Sequence, residues 1–312
     1  MHSCYALMRK QIDMFNNKVA VILVNYNGIK DTIDCIKSLQ NSDLYNEIKI
    51  VVVDNASNKN ECIEINTQFP DVITIRSEVN DGFSSGNNIG IRWALENQYG
   101  YIMLLNNDTV VAPDMIKILR RKCNRETVVA PKMLYFSKPE TIWYGGGTIN
   151  KKTGNAEHYN MNTADKYDVK PIECTFATGC CIMLKSETIN KVGLLSEDYF
   201  MYCEDTDYCI RLQKNGIKIL YVPSAKLWHK VSASTGGDES VFNIYYMTRN
   251  RIEIIKKYKS FFYFTALPFT IITRKIRRNL MRKKGNHAWK AFDKGISDGL
   301  NGVVGKINLS DI

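Results

Sequence analysis

Apolar and polar positions follow two alternating rhythms over the first third of the chain. Val19 to Tyr26 is a β-branched apolar run that predicts a buried strand, and Ile29 to Leu39 places Ile29, Ile33, Ile36 and Leu39 on one helical face. Ile48 to Val53 predicts a second buried strand. It ends at Asp54-Asn55-Ala56-Ser57-Asn58, a polar turn able to cap the next helix. Val72 to Ile75 reads as a short third strand, Phe83 to Asn97 as a helix, and Tyr101 to Leu105 as a fourth strand running into Asn106-Asn107-Asp108. Strands alternating with helices imply right-handed crossovers and a parallel sheet, in which ligands bind beyond the carboxyl ends of the strands. Asn25, Asp54 and Asp108 all fall at such ends, so three separated polar clusters should converge on one crevice.

The rhythm changes after about residue 110. Val128 to Phe136 and Trp143 to Ile149 look like strands around the Gly145-Gly146-Gly147 turn, and Lys151 to Asp168 is polar and loop-like. Phe176 to Leu184 is another apolar strand, followed by a short helix near Ser186 to Val192. Asp205 to Asn215 should be helical and closed by Gly216, and Ile217 to Val222 returns as a strand into Pro223. There is no internal repeat and no low-complexity tract.

Charge adds a second division. Of 312 residues, 45% are hydrophobic and 24% charged, which is ordinary for a folded protein, but the net charge is +10. Fourteen Lys or Arg lie between Arg249 and Lys294, against only Glu253 and Asp293, so the rest of the chain is close to neutral. This opposes a nucleic-acid-binding core and points to a basic C-terminal extension. Within it, Phe261-Phe262-Tyr263-Phe264 and Leu267 to Ile272 alternate with Arg274-Lys275-x-Arg277-Arg278 and Arg282-Lys283-Lys284. The apolar part is too short, and too interrupted by Pro268, to span a bilayer. Residues 249–284 suit an anionic membrane surface, or a helical tail packed on the rest of the chain or on a second subunit of a homodimer. The nine cysteines include adjacent Cys180 and Cys181 but no C-x-x-C, which reads as reduced, buried thiols in a cytoplasmic protein. No basic region followed by an apolar run marks a signal peptide, and residues 1–17 read as a poorly patterned leader.

Four clusters carry candidate chemistry, each with a plainer alternative. Asp54 can accept hydrogen bonds from a ribose or a base edge, or simply cap a helix. Asn80-Asp81-Gly82-Phe83-Ser84-Ser85-Gly86-Asn87-Asn88 can offer backbone N–H groups to phosphate oxygens, or form a turn and cap; it is neither a P-loop nor G-x-G-x-x-G. Asn106-Asn107-Asp108 supplies hard oxygens suited to Mg²⁺ or Mn²⁺ on a diphosphate. One carboxylate is a thin site, so His229 is the candidate to complete it, unless it is only a surface histidine. Glu204-Asp205-Thr206-Asp207 opens a helix whose dipole favours ionised carboxylates. The preceding Tyr199-Phe200-Met201-Tyr202 could partly desolvate a carboxylate there and raise its basicity.

Taken in order, Val24-Asn25-Tyr26-Asn27-Gly28, Val53-Asp54-Asn55-Ala56-Ser57, Asn80-x-Gly82-Phe83 with Asn87-Asn88-x-Gly90, Leu105-Asn106-Asn107-Asp108 and Phe200-Met201-Tyr202-x-Glu204-Asp205-x-Asp207 resemble family 2 inverting glycosyltransferases. The resemblance covers about residues 18 to 235 and is strongest to the branch containing bacterial rhamnosyltransferases. It implies an α/β chain of the GT-A fold, with a Rossmann-like, mostly parallel central sheet flanked by helices. A nucleotide-sugar-binding half (18–110) and an acceptor-side half (111–235) would be followed by a basic helical extension (236–312). Asn25, Tyr26, Asn27, Asp54, Asn80, Gly82, Phe83, Asn88 and Asn107 would bind the nucleotide sugar. Asp108 and His229 would hold a divalent metal, Mg or Mn, and Asp205, paired with Glu204, would be the catalytic base. Asn106 departs from the D-x-D pattern at its first position, which weakens the implied metal site.

The implied reaction moves a sugar from a nucleotide-diphospho-sugar donor to a saccharide or polyprenyl-diphosphate-linked saccharide in cell-surface polysaccharide synthesis. Rhamnose from dTDP-rhamnose is favoured, with UDP-hexoses and UDP-N-acetylhexosamines open. The enzyme would be cytoplasmic, peripheral on the inner face of the membrane. A sugar-phosphate nucleotidyltransferase would need an early Gly-rich loop with Arg and Lys, which Val24 to Lys30 lacks. A non-catalytic nucleotide-sugar-binding protein is opposed by the set Asp108, Asp205 and His229.

Overall fold

The computed structural model describes residues 17–166, 170–231 and 239–310, so the expected leader lies almost wholly outside the described residues. The first half alternates β1 (Val19–Asn25), α1 (Ile29–Gln40), β2 (Ile48–Asp54), α2 (Glu61–Gln68), β3 (Ile73–Arg76), α3 (Phe83–Glu96) and β4 (Tyr101–Asn106). β1 and β2 are parallel neighbours, as are β1 and β4 and β2 and β3. Six of seven β1 positions are buried, as a β-branched strand covered on both faces requires.

Beyond it come β5 (Thr109–Val111), α4 (Met115–Lys122), β6 (Thr127–Tyr135), β7 (Lys138–Tyr144), β8 (Gly147–Ile149) and β9 (Ala156–His158). They are followed by β10 (Ile172–Cys174), β11 (Cys181–Lys185), α5 (Ser186–Val192), α6 (Glu204–Lys214) and β12 (Lys218–His229). The main sheet runs β10-β12-β6-β11-β4-β1-β2-β3, with β5 on β12 and β7 on β6. β6 and β12 are parallel, while β11 joins the halves antiparallel to both β4 and β6. The sheet is thus parallel in its first half and mixed in its second.

The strand expected over Trp143–Ile149 is split, β7 ending at Tyr144 and β8 starting at Gly147, and three further differences bear on the site's surroundings. The strand expected to stop at Pro223 continues to His229, because the register shifts between Val222 and Lys226 and absorbs the proline's missing donor. Its outer arm sets His229 against Thr109 and Tyr135. The strand expected from Phe176 begins only at Cys181, because residues 178–180 turn to serve other partners. The polar stretch read as a loop contains β9, which pairs with β8.

The basic extension forms α7 (Val241–Lys257), α8 (Ala266–Lys283) and α9 (Lys290–Asn301). It packs back on the α/β domain through Phe200, Ile244, Tyr245, Tyr246, Met281 and Phe292. Glycines let α9 approach α7 closely: a Cβ on Gly299 would lie 2.8 Å from the Arg249 carbonyl oxygen. The stretch ahead of α3 is equally confined. Gly82 has φ +94°, and a Cβ there would stand 1.9 Å from the Phe200 carbonyl oxygen. Only glycine tolerates both conditions.

Candidate functional site

The carboxyl ends of β1, β2 and β4 are joined by a continuous polar network. Asn25 is fully buried; its amide donates to Glu61 Oε2 at 2.7 Å, and its oxygen accepts from Thr32 Oγ1 at 2.8 Å. Thr32 in turn accepts from Asn107 at 2.8 Å. Asn27 closes the β1 and β2 loops on each other: its backbone N–H donates to Ser57 Oγ, and its side chain accepts from the Asn58 amide, both at 2.8 Å. Tyr26 stands half exposed at the rim.

Asp54 is fully buried, accepts from the Ser57 amide at 3.2 Å and pairs with Arg76 on β3. Arg76 also donates to the Ser57 carbonyl at 2.9 Å, so it braces the turn that carries Asp54. Sequence pattern does not single out Arg76; its position at the end of β3, level with Asp54, is the only signal. Asn80 accepts from Asn55 at 3.1 Å and from the Gly82 amide at 3.0 Å, which shapes the loop in which Gly82 and Phe83 lie.

Asn88 does not line the crevice. It is buried on α3, donates to the Leu195 carbonyl and Glu197, and accepts from the Leu195 amide, so its polar atoms are spent on packing. The Phe83 ring lies beside Gly179 and Asp205: its edge would stand 3.2 Å from a Cβ on Gly179.

Asp108 and His229 lie against each other, with Nε2 3.1 Å from Oδ1. His229 is buried edge-on against Trp143, ring centroids 4.4 Å apart. Its Nδ1 and the Oδ1 of Asn106 are buried without a partner among the described residues. No group of three or more His, Cys, Asp or Glu able to hold a metal occurs among the described residues. The donor set therefore fits a cation only when ligand oxygens complete the shell.

The acidic first turn of α6 divides into three environments. Asp205 accepts from the Gly179 amide at 3.1 Å and the Thr206 amide at 2.7 Å. The Cys180 carbonyl accepts from the Asn106 amide at 2.8 Å, so residues 179–180 tie Asp205 to the end of β4. Glu204 faces an apolar cavity lined by Leu104, Val128, Ile182 and Leu212, and its Oε2 has no partner among the described residues. Asp207 is wholly buried and structural: Tyr258 donates at 2.7 Å, Arg211 at 2.7 Å, and Lys257 lies at 3.1 Å.

The comparisons with known proteins decide what this crevice belongs to. The model of the family described as glycosyl transferase family 2 matches residues 20–193, more than half of the chain. The chain belongs to glycosyl transferase family 2. This family 2 member is 26% identical over 282 residues to a low-salt glycan biosynthesis hexosyltransferase of Haloferax volcanii, covering 85% of this chain and 86% of that one. It is 26% identical over 258 residues to a dTDP-rhamnosyl transferase of Shigella flexneri, covering 78% and 81%. The crystal structure of GalNAc-T7 with UDP, GalNAc and Mn2+ is similar at TM-score 0.62 and 18% identity, covering 77% of this chain. The chain spans 47% of that one. That likeness identifies the fold as GT-A, a curled mixed sheet flanked by helices.

Electrostatics distinguish the two neighbouring carboxyls of this glycosyltransferase. Burial raises Asp205 above the ordinary carboxylate range, and the bonds from Gly179 and Thr206 pull it back. Burial, and next the charge of Asp205, push Glu204 from 4.5 up to about 8, so it holds its proton well above the pH at which an exposed glutamate loses it. The folded chain then keeps a proton that the unfolded chain releases, and this contribution to stability is lost as pH rises from about 4.5 to about 8. Glu204→Gln is expected to raise the melting temperature at pH 8 and to leave it nearly unchanged at pH 4.5. A uniform fall at both pH values would contradict this assignment.

Proposed function

We propose that this glycosyltransferase moves a sugar from a nucleotide-diphospho-sugar to a hydroxyl of a saccharide or polyprenyl-diphosphate-linked saccharide, in one in-line displacement with inversion. The observation that carries the reading is the placement of Asp205. It is a partly desolvated carboxylate, next to a Glu204 raised to about 8, and is tied through residues 179–180 to the strand end bearing Asn107 and Asp108. A sugar hydroxyl is a poor nucleophile at neutral pH. Asp205 would accept its proton as the oxygen attacks, an effect on the order of 10²–10⁴-fold. Asn27, Asn107 and the loop shaped by Asn80 would seat the nucleotide, on a frame that the buried Asn25 and Asp54 hold in place. Asp108 and His229 would hold a divalent cation, Mg²⁺ or Mn²⁺, which offsets charge on the leaving diphosphate. Manganese in the GalNAc-T7 structure supports the cation. The Shigella relative favours dTDP-rhamnose as donor, and the Haloferax relative favours glycan biosynthesis with the broader class of hexose donors.

A second reading concerns location. No helix among the described residues is long and apolar enough to cross a membrane. Phe264, Phe269, Ile272, Ile276 and Leu280 are nevertheless exposed in and just before α8, alongside Lys275 and Lys283. An apolar stripe beside basic residues fits an anionic bilayer surface and would hold the enzyme near a lipid-linked acceptor.

Asp205→Asn is expected to lower turnover at least about 10²-fold with donor affinity unchanged by calorimetry. Asp108→Ala should weaken donor binding only when the cation is present. Near-normal turnover in the first variant, or equal donor affinity in the second, would remove the role assigned. For the membrane, flotation with phosphatidylglycerol vesicles should carry the wild type, whereas Ile272→Glu/Ile276→Glu should stay behind. Equal flotation of both contradicts docking through α8.

A further inference from the structure

The turn that leads into Glu204 and Asp205 is held from the far side by α7. Asn250 donates to the Met201 and Tyr202 carbonyls, both at 2.8 Å. The next residue, Arg251, donates to Asn155 Oδ1 at 2.5 Å, in the loop between β8 and β9. α8 meets the same loop, where Thr270 Oγ1 donates to the Thr153 carbonyl at 3.1 Å, and so brings Arg274, one turn on, and Arg277 towards Arg251 as like charges. Arg274 is 8% exposed, and its Nε has no partner among the described residues. None of the three forms an ion pair among the described residues. The carboxylate that acts on Arg251 is Glu157, which is exposed and already bonded by Asn150 at 3.1 Å. Burial, and then the charges of Arg251 and Arg277, lower Arg274 to about 9.

Buried arginines are ordinarily paired, because an uncompensated buried charge is strongly unfavourable. A cluster of three with one buried and unpaired is a site lacking its counter-ion. We propose that Arg251, Arg274 and Arg277 bind the phosphate or diphosphate group of the acceptor. This rests on the glycosyltransferase reading above. Planar guanidinium donors match phosphate oxygens in pairs, and Arg277, exposed at the rim, gives a way in. The position fits the acceptor rather than the donor. Arg251 follows Asn250, which bonds the Met201 and Tyr202 carbonyls just ahead of Glu204, whereas the donor clusters lie on β1, β2 and β4. An acceptor sugar joined to an anchored diphosphate would present its hydroxyl beside Asp205.

The test is calorimetry of inorganic diphosphate binding to the full chain in EDTA, where cation-dependent binding at Asp108 is suppressed. Arg277→Gln and Arg274→Gln should each weaken binding at least tenfold, and wild-type affinity in both overturns the proposal. Because Arg274→Gln could misfold, Arg277→Gln at the rim stands as the independent variant. Melting in phosphate-free buffer adds a readout that a merely structural arginine would not give. Arg274→Gln should melt higher than wild type, since it removes an uncompensated charge; a lower melting temperature with unchanged diphosphate affinity overturns the proposal. Geranyl diphosphate and glucose 1-phosphate separate the sources. Tighter binding of the first supports the site with a lipid-linked ligand, tighter binding of the second supports it with a free sugar phosphate, and no binding of either overturns it. Nucleotide binding by the same proteins, measured with Mn²⁺, reports on the donor reading separately.

Discussion

The contact between the Gly82 backbone and the Phe200 carbonyl is the constraint on which the crevice depends. The Phe83 amide donates to that same carbonyl at 3.0 Å, so the Asn80–Phe83 loop and the Phe200–Cys203 turn meet backbone to backbone. One belongs to the parallel first half of the sheet's connections and the other leads into Glu204 and Asp205. A side chain at residue 82 would drive them apart. The turn is itself strained, with Tyr202 at φ 68° and Cys203 at φ 72°, conformations costing about 1–3 kcal/mol each. They persist because the surroundings fix them. Asn250 holds two carbonyls, Asn243 accepts from the Tyr202 hydroxyl, and Asp207 ties α6 to Tyr258 and Lys257.

The C-terminal helices are therefore part of the site's framework. The chain end reinforces this: Arg249 is fully buried, lies over Tyr246, and donates to the Gly305 carbonyl at 2.6 Å. Lys306 then reaches back to the Asn80 carbonyl at 3.1 Å. A strap from the extension thus returns to the loop that Gly82 anchors.

Much of this was legible in the sequence, for identifiable reasons. Strand ends announce themselves because a β-branched run gives way to Asn or Asp, and Asn25, Asp54 and Asn107 do gather at one edge. The short helix at Ser186–Val192 follows from local pattern alone. What depends on distant partners was not legible. Asn88 looks like its neighbours in an amide-rich stretch, but Leu195 and Glu197, over a hundred residues on, claim its side chain. Glu204, Asp205 and Asp207 read as one acidic turn; only packing separates an unpartnered acid, a hydrogen-bonded carboxylate and a structural anchor. α4 has a clear apolar face in Met115, Ile116 and Leu119, but at eight residues it is too short to stand out from the polar stretch around it. Charge located the basic extension, but not that its helices brace the acidic turn.

In the mechanism proposed for this site, a single carboxylate at residue 205 would deprotonate the acceptor while the nucleotide diphosphate departs from the opposite face of the sugar. The most direct measurement is the anomeric configuration of the newly formed glycosidic bond, read by NMR from the one-bond C1–H1 coupling, which separates the anomers of rhamnose as well as those of other hexoses. The account predicts inversion relative to the donor. Retention would contradict it, because it requires either a second displacement or attack on the leaving group's own face.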